Sequence, residues 1–233
     1  MSGAGPASGT LPATQVRVMF DRVARGYDRM NSVMTAGMHH RWRERAVDVA
    51  RVGPGSQALD VASGTGDLAI ELAGRGATVT GMDFSPAMLE LARRKHPGIR
   101  FEEGDALALS YDDGEFDAVT VGFGARNFGD LDQGLREMTR VTRPGGRVVV
   151  LEITTPQKPP LSWFFRAWFD RIVPRLGRLT GAPDAYVYLP SSVRRFPGPE
   201  ELAARMTATG LTDVRWILTA GGIIAVHSGT RVS

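Results

Sequence analysis

The stretch Gln57-Ala-Leu-Asp-Val-Ala-Ser-Gly-Thr-Gly-Asp67, continued as far as Asp83, decides the fold. Ala58, Leu59 and Val61 form a short apolar run that breaks into Ser63-Gly64-Thr65-Gly66. A helical pattern follows, with Leu68, Ala69, Ile70, Leu72 and Ala73 on adjoining turns. A second apolar run, Ala77-Thr-Val-Thr-Gly-Met-Asp83, stops on a carboxylate. Strand, glycine loop, helix and strand, with an acid about twenty residues after the loop, is the pattern of a nucleotide-binding βαβ unit. Gly64-Thr-Gly-Asp-Leu-Ala69 also fits the relaxed dinucleotide pattern, so dinucleotide-binding proteins, nicotinamide-dependent oxidoreductases among them, are the first candidates.

The acids around the loop point elsewhere. Asp60 precedes it and Asp67 starts the helix, where a pyrophosphate would need backbone N–H groups and a positive field. Carboxylates there suit a ligand with an ammonium group and a hydroxylated ribose but no phosphate, a description that S-adenosylmethionine meets. Asp83, at the tip of the second strand, is then placed to accept hydrogen bonds from the two ribose hydroxyls. The unit resembles the nucleotide-binding half of class I S-adenosylmethionine-dependent methyltransferases, in which the glycine loop lets the cofactor lie against the backbone. That resemblance makes Asp60, Gly64, Thr65, Gly66 and Asp83 candidate cofactor contacts.

With 233 residues, 42% of them hydrophobic, the chain is long enough for one well-filled α/β domain with a small appendage. No run of eighteen apolar residues occurs, and the first ten residues lack the basic and apolar parts of a signal peptide, so a cytoplasmic protein is expected. Without cysteine there is no disulfide, thiolate nucleophile or zinc–thiolate site. The four histidines, at 39, 40, 96 and 227, have no metal-ligand spacing, and no metal is expected. Net charge is +3, carried almost wholly by arginine since only Lys95 and Lys158 are lysines. No basic and aromatic stripe recurs on one element, which argues against nucleic-acid binding.

Residues 1–13 are small and polar with two prolines and read as a disordered lead-in to a single domain over 14–233. Helical spacing from Gln15 and again around Trp42 predicts a helical cap over residues 14–52 that covers the cofactor pocket from outside. Ser85-Pro86 opens another helix, and strand Ile99–Glu103 leads to Gly104-Asp105-Ala106. In class I methyltransferases an acid and its successor at this point meet the adenine, which the resemblance carries to Asp105 and Ala106. Phe116 to Gly124 reads as a buried parallel strand whose end delivers Gly122-Phe-Gly-Ala-Arg126-Asn127 to the carboxyl edge of the sheet. After a helix over Leu131–Val141 and strand Arg147–Glu152, the composition changes between Pro156 and Pro183. Leu161, Phe164, Phe165, Trp168, Ile172, Val173 and Leu176 recur at helical spacing with arginines between them, which reads as a core helix or, given its place as an insertion after the fifth strand, as a lid over 156–198 that shelters an apolar substrate and touches an anionic bilayer. A last helix over Glu200–Ala208 and a hairpin turning at Gly221-Gly222 close the chain.

A more specific resemblance runs from about Val16 to Gly229. Tyr27-Asp28, Met30-Asn31, Gly37-Met38-His39 and Trp42 are similar to the first signature of the UbiE/COQ5 family of quinone C-methyltransferases. Arg126-Asn127 after a Phe-Gly, the Arg143–Glu152 turn and strand, and Tyr186-Val-Tyr188-Leu-Pro-Ser-Ser192 are similar to later parts of that family. Two letters depart: Gly122 stands where the family usually has a hydroxyl residue, leaving only backbone for the cofactor, and Pro190 interrupts the last stretch. The resemblance implies a Rossmann-like seven-stranded, mostly parallel sheet with a final antiparallel hairpin, S-adenosylmethionine as cofactor, and a reduced polyprenylated quinone as substrate. Demethylmenaquinol is the first choice, with a benzoquinol or a soluble phenolic metabolite as alternatives. Family position and chemistry together suggest Arg126 for phenolate stabilisation, His39 as base and Tyr186 as a further catalytic group. Tyr27, Asn31, Asn127, Tyr188 and Ser192 are the substrate candidates. Peripheral contact with the inner membrane face is expected, and a homodimer is left open.

Overall fold

The computed structural model describes residues 14–22, 35, 37–156, 159–167 and 183–232. Among them are seven strands: β1 (Gln57–Val61), β2 (Thr78–Asp83), β3 (Arg100–Glu103), β4 (Phe116–Gly122), β5 (Thr142–Ile153), β6 (Leu211–Thr219) and β7 (Ile224–Arg231). They form one sheet in the order β3-β2-β1-β4-β5-β7-β6. β1 to β5 run parallel and β7 is antiparallel to both β5 and β6. This is the seven-stranded, mostly parallel sheet with a closing hairpin that the sequence led us to expect. The order reverses between β1 and β4, which makes their carboxyl ends the switch point where α/β sheets open a crevice.

Eight α-helices are described: α1 (residues 14–22), α2 (His39–Ala50), α3 (Asp67–Gly74), α4 (Pro86–Lys95), α5 (Leu131–Val141), α6 (Leu161–Ala167), α7 (Pro183–Arg195) and α8 (Pro199–Ala208). Side chains alternate across the central strands, so each face of the sheet builds its own apolar layer. Val149 and Leu151 of β5 join Leu68 and Leu72 of α3 and Leu89 of α4 on one face. Val148 and Val150 join Leu135 and Met138 of α5 and Leu202 and Met206 of α8 on the other. Leu135, Met138, Leu202 and Met206 are almost wholly buried, and each such side chain stabilises the fold by about 1.5–3 kcal/mol.

Within the cap expected of residues 14–52, most of α2 packs on the sheet and only its Arg43 joins the described lining of the crevice. Its Trp42, Ala46, Val47 and Ala50 are buried in the first layer, against the sheet and α3. α2 lies across β5 and the antiparallel β7, and since β7 brings no crossover helix of its own, an N-terminal segment completes that layer. α1, through Phe20, and the Arg43 side chain of α2 are the parts that reach the crevice. Asp21 accepts a hydrogen bond from Ser85 Oγ at 2.6 Å, and Phe20 meets Phe84 edge-on at 6.4 Å. Ser85 also accepts from Met88 N and, with Pro86 in the first turn, starts α4.

In the hairpin, His227 is buried, stacks on Trp216 and is bonded through Nε2 to the Pro199 carbonyl. Burial pulls its pKa down to about 4, so it stays neutral and structural. α5 depends on a small residue. A Cβ on Gly134 would overlap the ring of Phe128, a residue that lines the crevice. Alanine favours a helix over glycine by roughly 0.5–1 kcal/mol, but overpacking costs about 1–3 kcal/mol. Gly134→Ala therefore lowers the thermal midpoint, and Gly134→Ala with Phe128→Leu recovers most of the loss, measured by calorimetry.

Candidate active site

The crevice at the β1/β4 switch encloses about 1080 Å³ of non-protein space, its open mouth included. Its walls come from α1 (Phe20), α2 (Arg43), the β1–α3 loop, the tip of β2, the segment 104–107 and the segment 122–129.

The loop after β1 is pinned by two acids. Asp60 accepts from Ser63 Oγ at 2.7 Å and from Thr120 Oγ1 at 2.8 Å. Asp83 accepts from the Gly64 N–H at 2.8 Å and from the Ser85 N–H at 2.9 Å. Both carboxyls are buried, and desolvation pushes each up to about 6 despite these hydrogen bonds. Ala62 and Phe123 sit just beyond β1 and β4 with φ of 53° and 60°, left-handed conformations that a side chain rarely adopts. A Cβ on Gly124 would lie 2.6 Å from the Ala62 Cβ, so the two loops touch only because position 124 is glycine.

Asp67 is less free than its place in the sequence suggests. It is ion-paired to Arg43 at 2.9 Å and to Lys95 at 2.7 Å. Burial works against its charge, but those two cations outweigh it and hold the carboxyl below its usual range. The repulsion of a diphosphate therefore rests on Asp60, Asp83 and Asp105 more than on Asp67. With four carboxylates and one guanidinium in its described lining, the crevice still favours a cation.

Of the cofactor candidates, Asp60, Gly64, Thr65, Asp83, Asp105, Ala106 and Gly122 all line the crevice. Asp105 also caps its own turn, accepting from the Leu107 N–H at 2.9 Å. Gly66 does not line it. It has φ of 83°, and a Cβ there would meet the Phe101 ring at 2.7 Å, so it shapes the loop from behind.

Asn127 lines the floor, and its Oδ1 is buried without a hydrogen-bond partner. Arg126 lies beside it but outside the described lining. Its Nη1 donates to both oxygens of Glu152, at 3.0 and 2.9 Å, and to the Phe123 carbonyl at 2.5 Å. Glu152 is thus the anchor of Arg126. His39 is buried at the start of α2, its Nδ1 2.5 Å from Arg43 Nη1. A guanidinium only donates, so that Nδ1 lone pair is engaged. Tyr188 and Ser192 stand on α7. Ser192 is buried and bonds back to the Leu189 carbonyl at 2.9 Å, while Ser191 bonds to that of Tyr188. Both hydroxyls back-bond to carbonyls three residues earlier in their own helix, which also contains Pro190. Tyr27 and Asn31 lie outside the described residues, as does the side chain of Tyr186 on α7. Sequence reasoning did not single out Phe20, Arg43, Phe84 or Phe123; only the left-handed turn at Phe-Gly carried a local signal.

Residues 10–231 match the model of the ubiE/COQ5 methyltransferase family. The chain belongs to that family. A demethylmenaquinone methyltransferase of Thermus thermophilus is 48% identical over 91% of this chain and all of its own length. One of Deinococcus radiodurans is 48% identical over 88% of both, and one of Roseiflexus castenholzii 44% identical over 94% of both. The enzyme is accordingly a methyltransferase of the S-adenosylmethionine-dependent class. Solved structures agree on the fold alone. A Thermotoga maritima S-adenosylmethionine-dependent methyltransferase is 19% identical over 91% of this chain and 98% of its own, with a TM-score of 0.66. The [4+2]-cyclase SpnF is 17% identical over 96% and 97%, with a TM-score of 0.70.

The acids give a direct pH test. A carboxyl raised to about 6 in the folded state, against 3.8 otherwise, costs stability while it is ionised. That cost is present above pH 6 and disappears as pH falls toward 3.8. Carboxyl-carbon NMR will show two aspartates titrating near pH 6, one of which vanishes in Asp83→Asn and the other in Asp60→Asn.

Proposed function

We propose that this enzyme transfers the methyl group of S-adenosylmethionine to a ring carbon of demethylmenaquinol, the reduced form of a polyprenylated naphthoquinone. The observation that carries the reading is the crevice itself: carboxylates at 60, 83 and 105, and a buried, unpartnered Asn127 oxygen, meet at the switch point of a chain from this family.

The residues present fit the cofactor. Asp83 is held by backbone N–H groups, among them those of Gly64 and Ser85, and its oxygens keep acceptor capacity for a ribose hydroxyl. Asp105 holds its remaining acceptors for the adenine amine, with Ala106 alongside. Gly122, whose Cβ would crowd Leu68, offers backbone where the family's hydroxyl would stand. Bound there, the cofactor supplies an electrophilic methyl group on a sulfonium, which the acidic lining favours.

A ring carbon becomes a nucleophile when a neighbouring phenol gives up its proton, here to water at the open mouth of the crevice, and water also takes the proton that the methylated ring carbon sheds; the oxidised quinone, by contrast, is electron-poor. Asn127 Oδ1 accepts a substrate hydroxyl and turns the ring toward the methyl group. Arg126, fixed by Glu152 and one residue away, lends positive charge to the forming phenolate, an effect worth about 10²–10³ in rate in comparable sites. Burial raises the Tyr188 phenol, which keeps its proton and can donate to the ring oxygens. Holding the two reactants in line supplies much of the rest, about 7–11 kcal/mol for well-oriented groups.

An apolar tail needs an apolar approach. Trp163 and Phe164 of α6 are 67% and 62% exposed, and we assign this aromatic face to contact with the bilayer surface that holds the substrate. Among the described residues no helix is long and apolar enough to cross a membrane.

Mass spectrometry of the protein incubated with S-adenosylmethionine and short-chain demethylmenaquinol tests the reading. One added methyl group in the reduced sample, and none in an unreduced control, is expected. Methylation of benzoquinols or soluble phenols in its place would refute the assigned substrate.

A further inference from the structure

The crevice has one cation in its described lining, and nothing in the chemistry above uses it. Arg43 projects from α2 with only 6% of its surface exposed. Its Nη2 is 2.9 Å from Asp67 Oδ2, and its Nη1 is held by His39 Nδ1. Asp67 is held from the other side by Lys95, which approaches Oδ1 at 2.7 Å. Both members of the Arg43–Asp67 pair line the crevice, and neither is saturated: the guanidinium has further N–H groups and each carboxylate oxygen a second lone pair.

A buried ion pair is a weak contributor to stability and is costly to leave half-made. This one is braced on both sides, by His39 at Arg43 and by Lys95 at Asp67, and its charges are presented to a ligand-sized space. A guanidinium beside a carboxylate is the complement of an α-amino acid, whose carboxylate and ammonium are also neighbours and of opposite sign. Resting on the cofactor reading above, we propose that Arg43 and Asp67 form the subsite for the amino-acid head of S-adenosylmethionine. Arg43 takes the α-carboxylate, Asp67 takes the ammonium, and His39 is the positioning residue that holds Arg43 in place. This gives His39 a task other than base catalysis, and it explains why an acid at the start of α3 carries two cationic partners.

The test is calorimetric binding of three ligands: S-adenosylhomocysteine, its decarboxylated analogue, and 5′-methylthioadenosine, which lacks the whole head. The unaltered protein is expected to prefer S-adenosylhomocysteine to the decarboxylated analogue by roughly tenfold to a hundredfold, the range for a hydrogen-bonded charge. Arg43→Gln reduces that preference to about threefold or less and leaves 5′-methylthioadenosine within about twofold of its original affinity, which also shows that the variant is folded. Lys95 keeps Asp67 partnered in this variant. Retention of the full preference by Arg43→Gln overturns the proposal, as does an equal weakening of all three ligands. If the unaltered protein binds none of them, the cofactor reading falls as well.

Discussion

At the carboxyl ends of β1 and β4 the chain must leave the sheet in opposite directions while its two loops stay in contact. α3 packs on one face and α5 on the other, so the space between them cannot be filled by either. Ala62 and Phe123 accept left-handed backbone there, and Gly124 gives up its side chain to let the loops meet. The crevice is therefore a consequence of topology, and its chemistry depends on which side chains the strand ends deliver. Asp60 and Asp83 come from consecutive parallel strands, Asn127 follows β4 and Glu152 ends β5.

Electrostatics inside this space is arranged in pairs and strained singles. Arg126 with Glu152, and Arg43 and Lys95 with Asp67, are ion pairs that hold their members in place at small net benefit to stability. Asp60 and Asp83 are different. They are buried with neutral hydrogen-bond donors only, and both are pushed up to about 6. A protein that keeps two such carboxylates beside its glycine loop gives up stability for a site that attracts a cationic, hydroxylated ligand. That exchange is common where stability and function compete.

Much of this was legible in the sequence because the informative signals were local. The glycine loop, the acid ending β2 and the near-continuous apolar letters of β4 each report on a few neighbouring residues, and the family signatures extend the reading across the chain. What was not legible depended on tertiary placement. Gly66 looks like a cofactor glycine, yet Phe101, some thirty-five positions away by the numbering, is what it accommodates. Asp67 reads as a bare acid until α2 and α4 bring Arg43 and Lys95 to it. The apolar spacing of α2 cannot say which surface it covers, and that surface belongs to β5 and β7, far later in the chain, while its Arg43 turns to the crevice. Ser192 bonds to the Leu189 carbonyl within its own helix, a local choice that the letters alone do not show.

The central claim is that the crevice takes an adenosyl ligand without phosphates, and not a dinucleotide. A thermal-shift comparison of S-adenosylhomocysteine with NAD tests it most directly, because a ligand stabilises the folded state that binds it. At about a hundred times its dissociation constant, a ligand adds about 2.7 kcal/mol, or roughly 5–10 °C for a chain of this size. The account predicts that shift with S-adenosylhomocysteine and none with NAD. Stabilisation by NAD alone would contradict it.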